Sequence, residues 1–230
     1  MESTAASPTT PKIRVVLSID FDAVSGWLGT GAHPANNLAD YSSGHFAARV
    51  GVPRLLRLFA KHAIADRVTW FVPGHSAESF PAQMRAIVAS GAEVACHGYA
   101  HEDAARLTPA QERDVVKRCV EVLVEAGAPR PVGWRAPLYS FLPHAPNSHG
   151  YVDTRHIEQM WKDRFMWLWE NEAEEGKECL FPILLHPDTS GMAHVIGMVE
   201  RMIKWLQSWG PAVEFSQTKD IARIFRERNL

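Results

Sequence analysis

The chain has 230 residues, enough for one domain with a substantial core or for two small ones. Apolar residues make up 46% and charged residues 22%; the formal net charge is -2, with no long run of one sign. That balance speaks against a nucleic-acid or anionic-membrane partner, both of which need a basic patch, and three cysteines are too few for a disulfide framework. No stretch approaches the ~20 apolar residues of a membrane span. Met1 to Lys12 is rich in Ser, Thr, Ala and Pro and lacks the apolar centre of a secretion signal. The expectation is a cytoplasmic protein with a disordered segment over 1–12 and a single domain over 13–230.

Taken in chain order, Ile13 to Ile19 is an apolar, β-branched run that predicts a buried strand. The Gly/Ala/Asn/Ser-rich stretch from Gly26 to Gly44 predicts a functional loop. Val52 to His62 has apolar residues at helical spacing, with Pro53 near its start. Val68 to Val72 reads as a second strand, Pro81 to Ala89 as a helix, and Ala92 to Cys96 as a third strand. Thr108-Pro-Ala-Gln111 is a capping sequence for a helix that should run to about Ala126, with Gly127 ending it. Val132 to Trp134 is a fourth strand candidate, and Thr154 to Asn171 a helix. The chain closes with a strand at Leu180–Leu185, a helix over Ala193 to Trp209, a strand at Val213–Phe215 and a helix over Lys219 to Arg228. Six strands alternating with helices predict an α/β parallel sheet with crossover helices. Because no glycine-rich nucleotide loop follows any strand, a (β/α) barrel fits better than an open nucleotide-binding sheet.

Almost every strand is followed at once by polar residues: Asp20-Phe-Asp22, Pro73-Gly-His75, His97 to His101, Arg135-Ala-Pro137 and His186-Pro-Asp188. In a barrel all of these fall at the carboxyl ends of the strands, where barrel enzymes place their chemistry. His97 and His101, four residues apart, would meet on one side of a helical turn. With a carboxylate from elsewhere they make a His/His/Asp metal site with open positions. Asp20 and Asp22, two apart at a strand end, point to the same side, so one can ligate while the other takes a proton. His186 is placed to protonate a leaving group, and Arg135 to hold Asp20 charged through a bidentate contact. Each has a plainer alternative in isolation: a helix cap for the histidines, an Asx-turn for the aspartates, a core histidine, a surface arginine.

Read together, these segments resemble the polysaccharide deacetylases of the NodB-homology class. The motifs run in that family's order: Ser18-Ile-Asp-Phe-Asp22, Thr69-Trp-Phe-Val-Pro-Gly74, His97-Gly-Tyr-Ala-His101, Arg135-Ala-Pro137 and Leu184-Leu-His186. Asp22 to Leu28, Pro73-Gly-His-Ser76 and His186 to Gly191 look like the versions found in a subgroup of peptidoglycan-deacetylase-like, cyclic imidase and allantoinase-like proteins. The resemblance implies a deformed (β/α)7 barrel and a metal-dependent hydrolase of non-peptide carbon–nitrogen bonds. It implies one divalent ion, expected to be zinc, on Asp22, His97 and His101, with Asp20 as base, His186 as acid and Arg135 orienting Asp20. Trp27, Leu138 and Tyr139 are the residues expected to meet substrate, Leu138 through its backbone N–H at the oxyanion. The substrate would be an N-acetylated sugar or a small cyclic amide or imide; the motifs of the subgroup and the missing secretion signal favour the second.

The chain departs from that family between Arg135 and His186. A strand-and-helix section rich in Asp and Trp is expected there, but Leu142 to Gly150 is turn-rich with no strand. At 230 residues the chain is also short of the ~250 of a complete barrel. The expected fold is therefore an incomplete barrel, and a shortened, inactive relative that keeps the metal site is the alternative function. Uncovered apolar surface would make a homo-oligomer the expected partner arrangement.

Overall fold

The computed structural model describes residues 13–28, 38–137 and 153–230. β1 (Ile13–Asp20) is its centre: seven of its eight residues are buried, as expected of a strand covered on both faces. Two short helices follow, α1 (Ser25–Leu28) and α2 (Leu38–Phe46), then a π turn and α3 (Val52–Lys61). β2 (Thr69–Val72) leads into α4 (Gly74–Ser79) and α5 (Pro81–Ala89), and β3 (Glu93–Cys96) into α6 (Pro109–Glu125). α7 (Thr154–Leu168), β4 (Cys179–Leu185), α8 (Pro187–Ser190), α9 (Ala193–Gln207), β5 (Val213–Phe215) and α10 (Thr218–Asn229) complete the chain.

All pairings are parallel. β4 runs along one edge of β1 from Ile13↔Cys179 to Ile19↔Leu185. The opposite edge is shared: β5 takes its start, Ile13 to Val15, and β2 its end, Ser18 to Asp20, with β3 outside β2. This register brings the ends of β1, β2, β3 and β4, with Asp20, Val72, Cys96 and Leu185, to one rim. Helices cover the outside. Phe165 of α7 stands edge-on to Phe181 of β4 at 5.5 Å, with Trp205 and Trp209 around it.

Two expectations need correction. The stretch predicted as a loop ends in helix at both of its described sides, and Gly44 lies within α2 rather than in a turn. A Cβ at Gly44 would sit 2.7 Å from the backbone of Ala23 and Val24, so this glycine permits close packing of a helix. The fourth strand reduces to one bridge, Cys96↔Trp134, leaving five strands among the described residues. Among the described residues nothing pairs with the outer edge of β4, whose Leu180 and Leu184 are 46% and 45% exposed. That edge is blunted in two ways. Pro182 has no N–H to offer, and Arg164 Nη2 donates to the Pro182 carbonyl at 2.5 Å. Residues 1–12 and the expected break at 142–150 lie outside the described residues.

Candidate active site

Asp20 is the last residue of β1 and Asp22 lies just beyond it, separated by fully buried Phe21. The Phe21 N–H donates to the Phe71 carbonyl, continuing the sheet so that both carboxylates turn to the same side. After β3, His97 and His101 are brought together by a different local structure from the one expected. No helix spans them: Gly98 has φ 73° and His101 has φ 62°, both left-handed. A histidine tolerates that region better than most residues, at a cost of order 1–3 kcal/mol. The loop is held from two sides. Gly74 and His75 N–H groups donate to the carbonyls of Gly98 and Tyr99, while the Glu102 carboxylate accepts from the N–H groups of Tyr99 and Ala100.

The result is a tight polar cluster. His97 Nε2 lies 3.4 Å from Asp22 Oδ1 and 3.5 Å from Asp20 Oδ2; His101 Nε2 lies 3.5 Å from Asp22 Oδ2. One ligand atom each of Asp22, His97 and His101 falls within 4.8 Å of the others. His186, the residue after β4, reaches the same place, with Nε2 3.5 Å from Asp22 and 3.8 Å from Asp20. Arg135 Nη1 donates to Asp20 Oδ1 at 2.5 Å and Nη2 to Ser18 Oγ at 3.0 Å, while its guanidinium lies 3.9 Å over the Phe71 ring. Arg135 thus grips Asp20 through one nitrogen rather than through the bidentate contact expected, the second nitrogen being spent on Ser18.

Electrostatics follow from this crowding. Burial works against the Asp22 carboxylate, but His101, His97, His186 and Arg135 outweigh it and hold its pKa below the ordinary value. Burial pushes His101 down toward its neutral form, against the pull of Asp22. His186 goes the other way: burial opposes its charge, and Asp22, Asp20 and Asp188 more than compensate, raising its pKa.

A divalent cation fits these residues. Two imidazoles and a carboxylate are the nitrogen and oxygen donors such ions take. His97 Nδ1 can only donate to the Arg135 carbonyl at 2.9 Å, so in the neutral ring a metal-ligating lone pair on Nε2 faces the cluster. Asp22 Oδ1 is buried without a hydrogen-bond partner, a costly arrangement unless a cation meets it.

Asp20, Asp22, His97, His101, Arg135 and His186 therefore converge. Trp27 lies in α1, and Leu138 and Tyr139 fall outside the described residues. Sequence reasoning passed over Glu102, Ser25 and Ser76. The last two form a buried hydroxyl pair at 2.7 Å, with Ser25 Oγ 3.0 Å from His75 Nδ1. The signal was present in Pro73-Gly-His-Ser76, noted only for its resemblance.

Comparison with known proteins supports the same assignment. The family model described as polysaccharide deacetylase matches residues 41–151. The chain is 40% identical to the peptidoglycan deacetylase-like protein FGM2 of Gibberella zeae, covering 93% of this chain and 86% of that protein. It is 30% identical to the peptidoglycan deacetylase of Helicobacter pylori, covering 95% and 98%. The first alignment spans 293 positions, so more than sixty of them face no residue of this 230-residue chain. In fold it is similar to a Mycobacterium smegmatis protein whose crystal structure is assigned to the polysaccharide deacetylases, with TM-score 0.84, 22% identity and 98% and 94% coverage. The crystal structure of PuuE allantoinase gives TM-score 0.78 at 22% identity, covering 97% and 93%. The chain belongs to the polysaccharide deacetylase family, hydrolases of carbon–nitrogen bonds other than peptide bonds.

Proposed function

We propose that this chain is a metal-dependent amide hydrolase that removes the acetyl group from an N-acetylated amino sugar. The observation that carries the reading is the meeting of a buried His/His/Asp donor set with an Arg-held carboxylate and a histidine of raised pKa on one rim. The two curated relatives, named as a peptidoglycan deacetylase and a protein like one, support the acetamide over the cyclic imide.

Asp22, His97 and His101 would hold the ion. A divalent cation so bound supplies Lewis acidity toward the amide carbonyl and makes water a nucleophile near neutral pH. Asp20, fixed by Arg135, takes a proton from the water that attacks the carbonyl carbon. His186, whose pKa the surrounding carboxylates raise, gives a proton to the sugar nitrogen as the C–N bond breaks. Acetate and the free amine leave.

Incubation with a chitooligosaccharide, followed by acetate assay, tests this; ring opening of a cyclic imide in its place would contradict the substrate. A second reading, an inactive relative that retains the metal site, is favoured by the unfilled alignment positions and by the exposed Leu180 and Leu184 of β4. It predicts metal binding with no release of acetate.

A further inference from the structure

Three residues the proposed chemistry does not use, His75, Ser25 and Ser76, form a directed hydrogen-bond relay that ends on the backbone of Asp22. Ser76 Oγ lies 2.6 Å from the Asp22 carbonyl oxygen, which can only accept, so the Ser76 hydroxyl proton is spent there. Ser76 must then accept from Ser25 Oγ at 2.7 Å, and this uses the Ser25 proton. Ser25 Oγ, 3.0 Å from His75 Nδ1, has only lone pairs left for it, so His75 must donate. The order His75 Nδ1–H to Ser25 to Ser76 to the Asp22 carbonyl is the one that satisfies every group. Ser25 and Ser76 are fully buried, where a hydroxyl without a partner would be costly.

The same short turn also reaches the other two ligand candidates. The Gly74 and His75 N–H groups donate to the Gly98 and Tyr99 carbonyls at 3.1 and 2.8 Å, between His97 and His101. Ala23, next to Asp22, is left-handed at φ 46°, so the turn carrying Asp22 needs external support. The Ser25 N–H also donates to the Asp22 carbonyl at 2.8 Å, making that oxygen the anchor of the turn.

We infer that His75, Ser25 and Ser76 are positioning residues that hold Asp22 in register with His97 and His101, with His75 protonated on Nδ1. The inference rests on the metal-site reading above. The Pro73–Ser76 turn is a hub: its backbone sets the loop of the two histidines and its side chains set the aspartate turn. Loss of an outer contact of this kind lowers metal affinity about 10–100-fold.

The test is titration of the metal-free protein with Zn2+ and Co2+, alongside its thermal melt. Ser76→Ala and His75→Leu should bind about 10–100-fold more weakly, while His75→Asn, whose amide donates from near the Nδ1 position, should stay within about threefold of the unchanged protein. Rescue by Asn but not by the equally sized Leu separates donation from packing. A 15N NMR spectrum of the unchanged, metal-free protein should show the His75 proton on Nδ1, which keeps the inference testable if a serine variant does not fold. Equal affinity in all variants, or an Nε2–H tautomer at His75, overturns the relay while leaving the metal site standing. Absence of Zn2+ and Co2+ binding by the unchanged protein overturns the metal site and the relay with it.

Discussion

His97 illustrates how one contact decides a residue's chemistry. Its Nδ1 is committed to the Arg135 carbonyl, so Nε2 is the nitrogen turned toward Asp20 and Asp22. Arg135 therefore serves twice, through its carbonyl and through its guanidinium on Asp20. Arg135→Ala should lower turnover by about 10²–10⁴-fold, the share typical of acid–base groups, while metal content by elemental analysis stays the same. Gly98 is equally exacting: it is left-handed, and a Cβ there would come within 2.8 Å of Glu102 Oε2. Gly98→Ala should weaken Zn2+ binding at least about tenfold by shifting the loop between the two ligands, measured by calorimetric titration.

Between elements, acidic residues tie helices to the rest of the fold. Glu93, 5% exposed on β3, accepts from Thr69 Oγ1 at 2.8 Å and from the Lys219 N–H at 3.0 Å, placing a carboxylate at the N-terminus of α10. Glu93→Ala should cost about 1–3 kcal/mol and free the first turn of α10, read by urea unfolding and hydrogen exchange. Glu200 on α9 is shared by Lys61, His62 and Lys204, which hold its pKa down to about 2. A depressed carboxylate stabilises the fold above its ordinary value of 4.5, and that contribution is lost as pH falls toward 2. Glu200→Gln should flatten the acid side of the stability profile between those limits, with little change in its shape above pH 5.

The strands and long helices were legible in the chain because apolar β-branched runs, helical spacing and caps such as Thr108-Pro-Ala-Gln111 are local signals. The α6 capping box forms as expected, with Thr108 and Gln111 bonded reciprocally. What was not legible depends on distant contacts. Gly44 looked like a loop residue because the backbone of Ala23 that it must clear is twenty-one residues away in sequence. Val132 to Trp134 looked like a strand, yet a strand needs a ladder of successive pairs, and only the single bridge from Trp134 to Cys96 forms. The candidate ligand residues that the structure brings together were marked in the chain by their order. The left-handed loop joining His97 to His101 and the support from Ser25, Ser76 and Glu102 were not, because spacing alone does not specify backbone φ or second contacts.

At the scale of the molecule, β1 is the axis on which fold and site coincide. It pairs with β2, β4 and β5, and its end carries Asp20. Among the described residues no pairing links Trp134 to β4. Among the described residues no helix is long and apolar enough to cross a membrane. A metal joining Asp22 after β1 to His97 and His101 after β3 would cross-brace the two strands. At about 100 times its dissociation constant it would add about 2.7 kcal/mol to stability.

Metal content with a paired melt tests the central claim most directly. The purified chain should carry about one divalent ion, lost in a His97→Ala/His101→Ala variant, and chelator should lower its Tm by roughly 5–10 °C. A chain without bound metal, melting at the same temperature with and without chelator, would contradict the account.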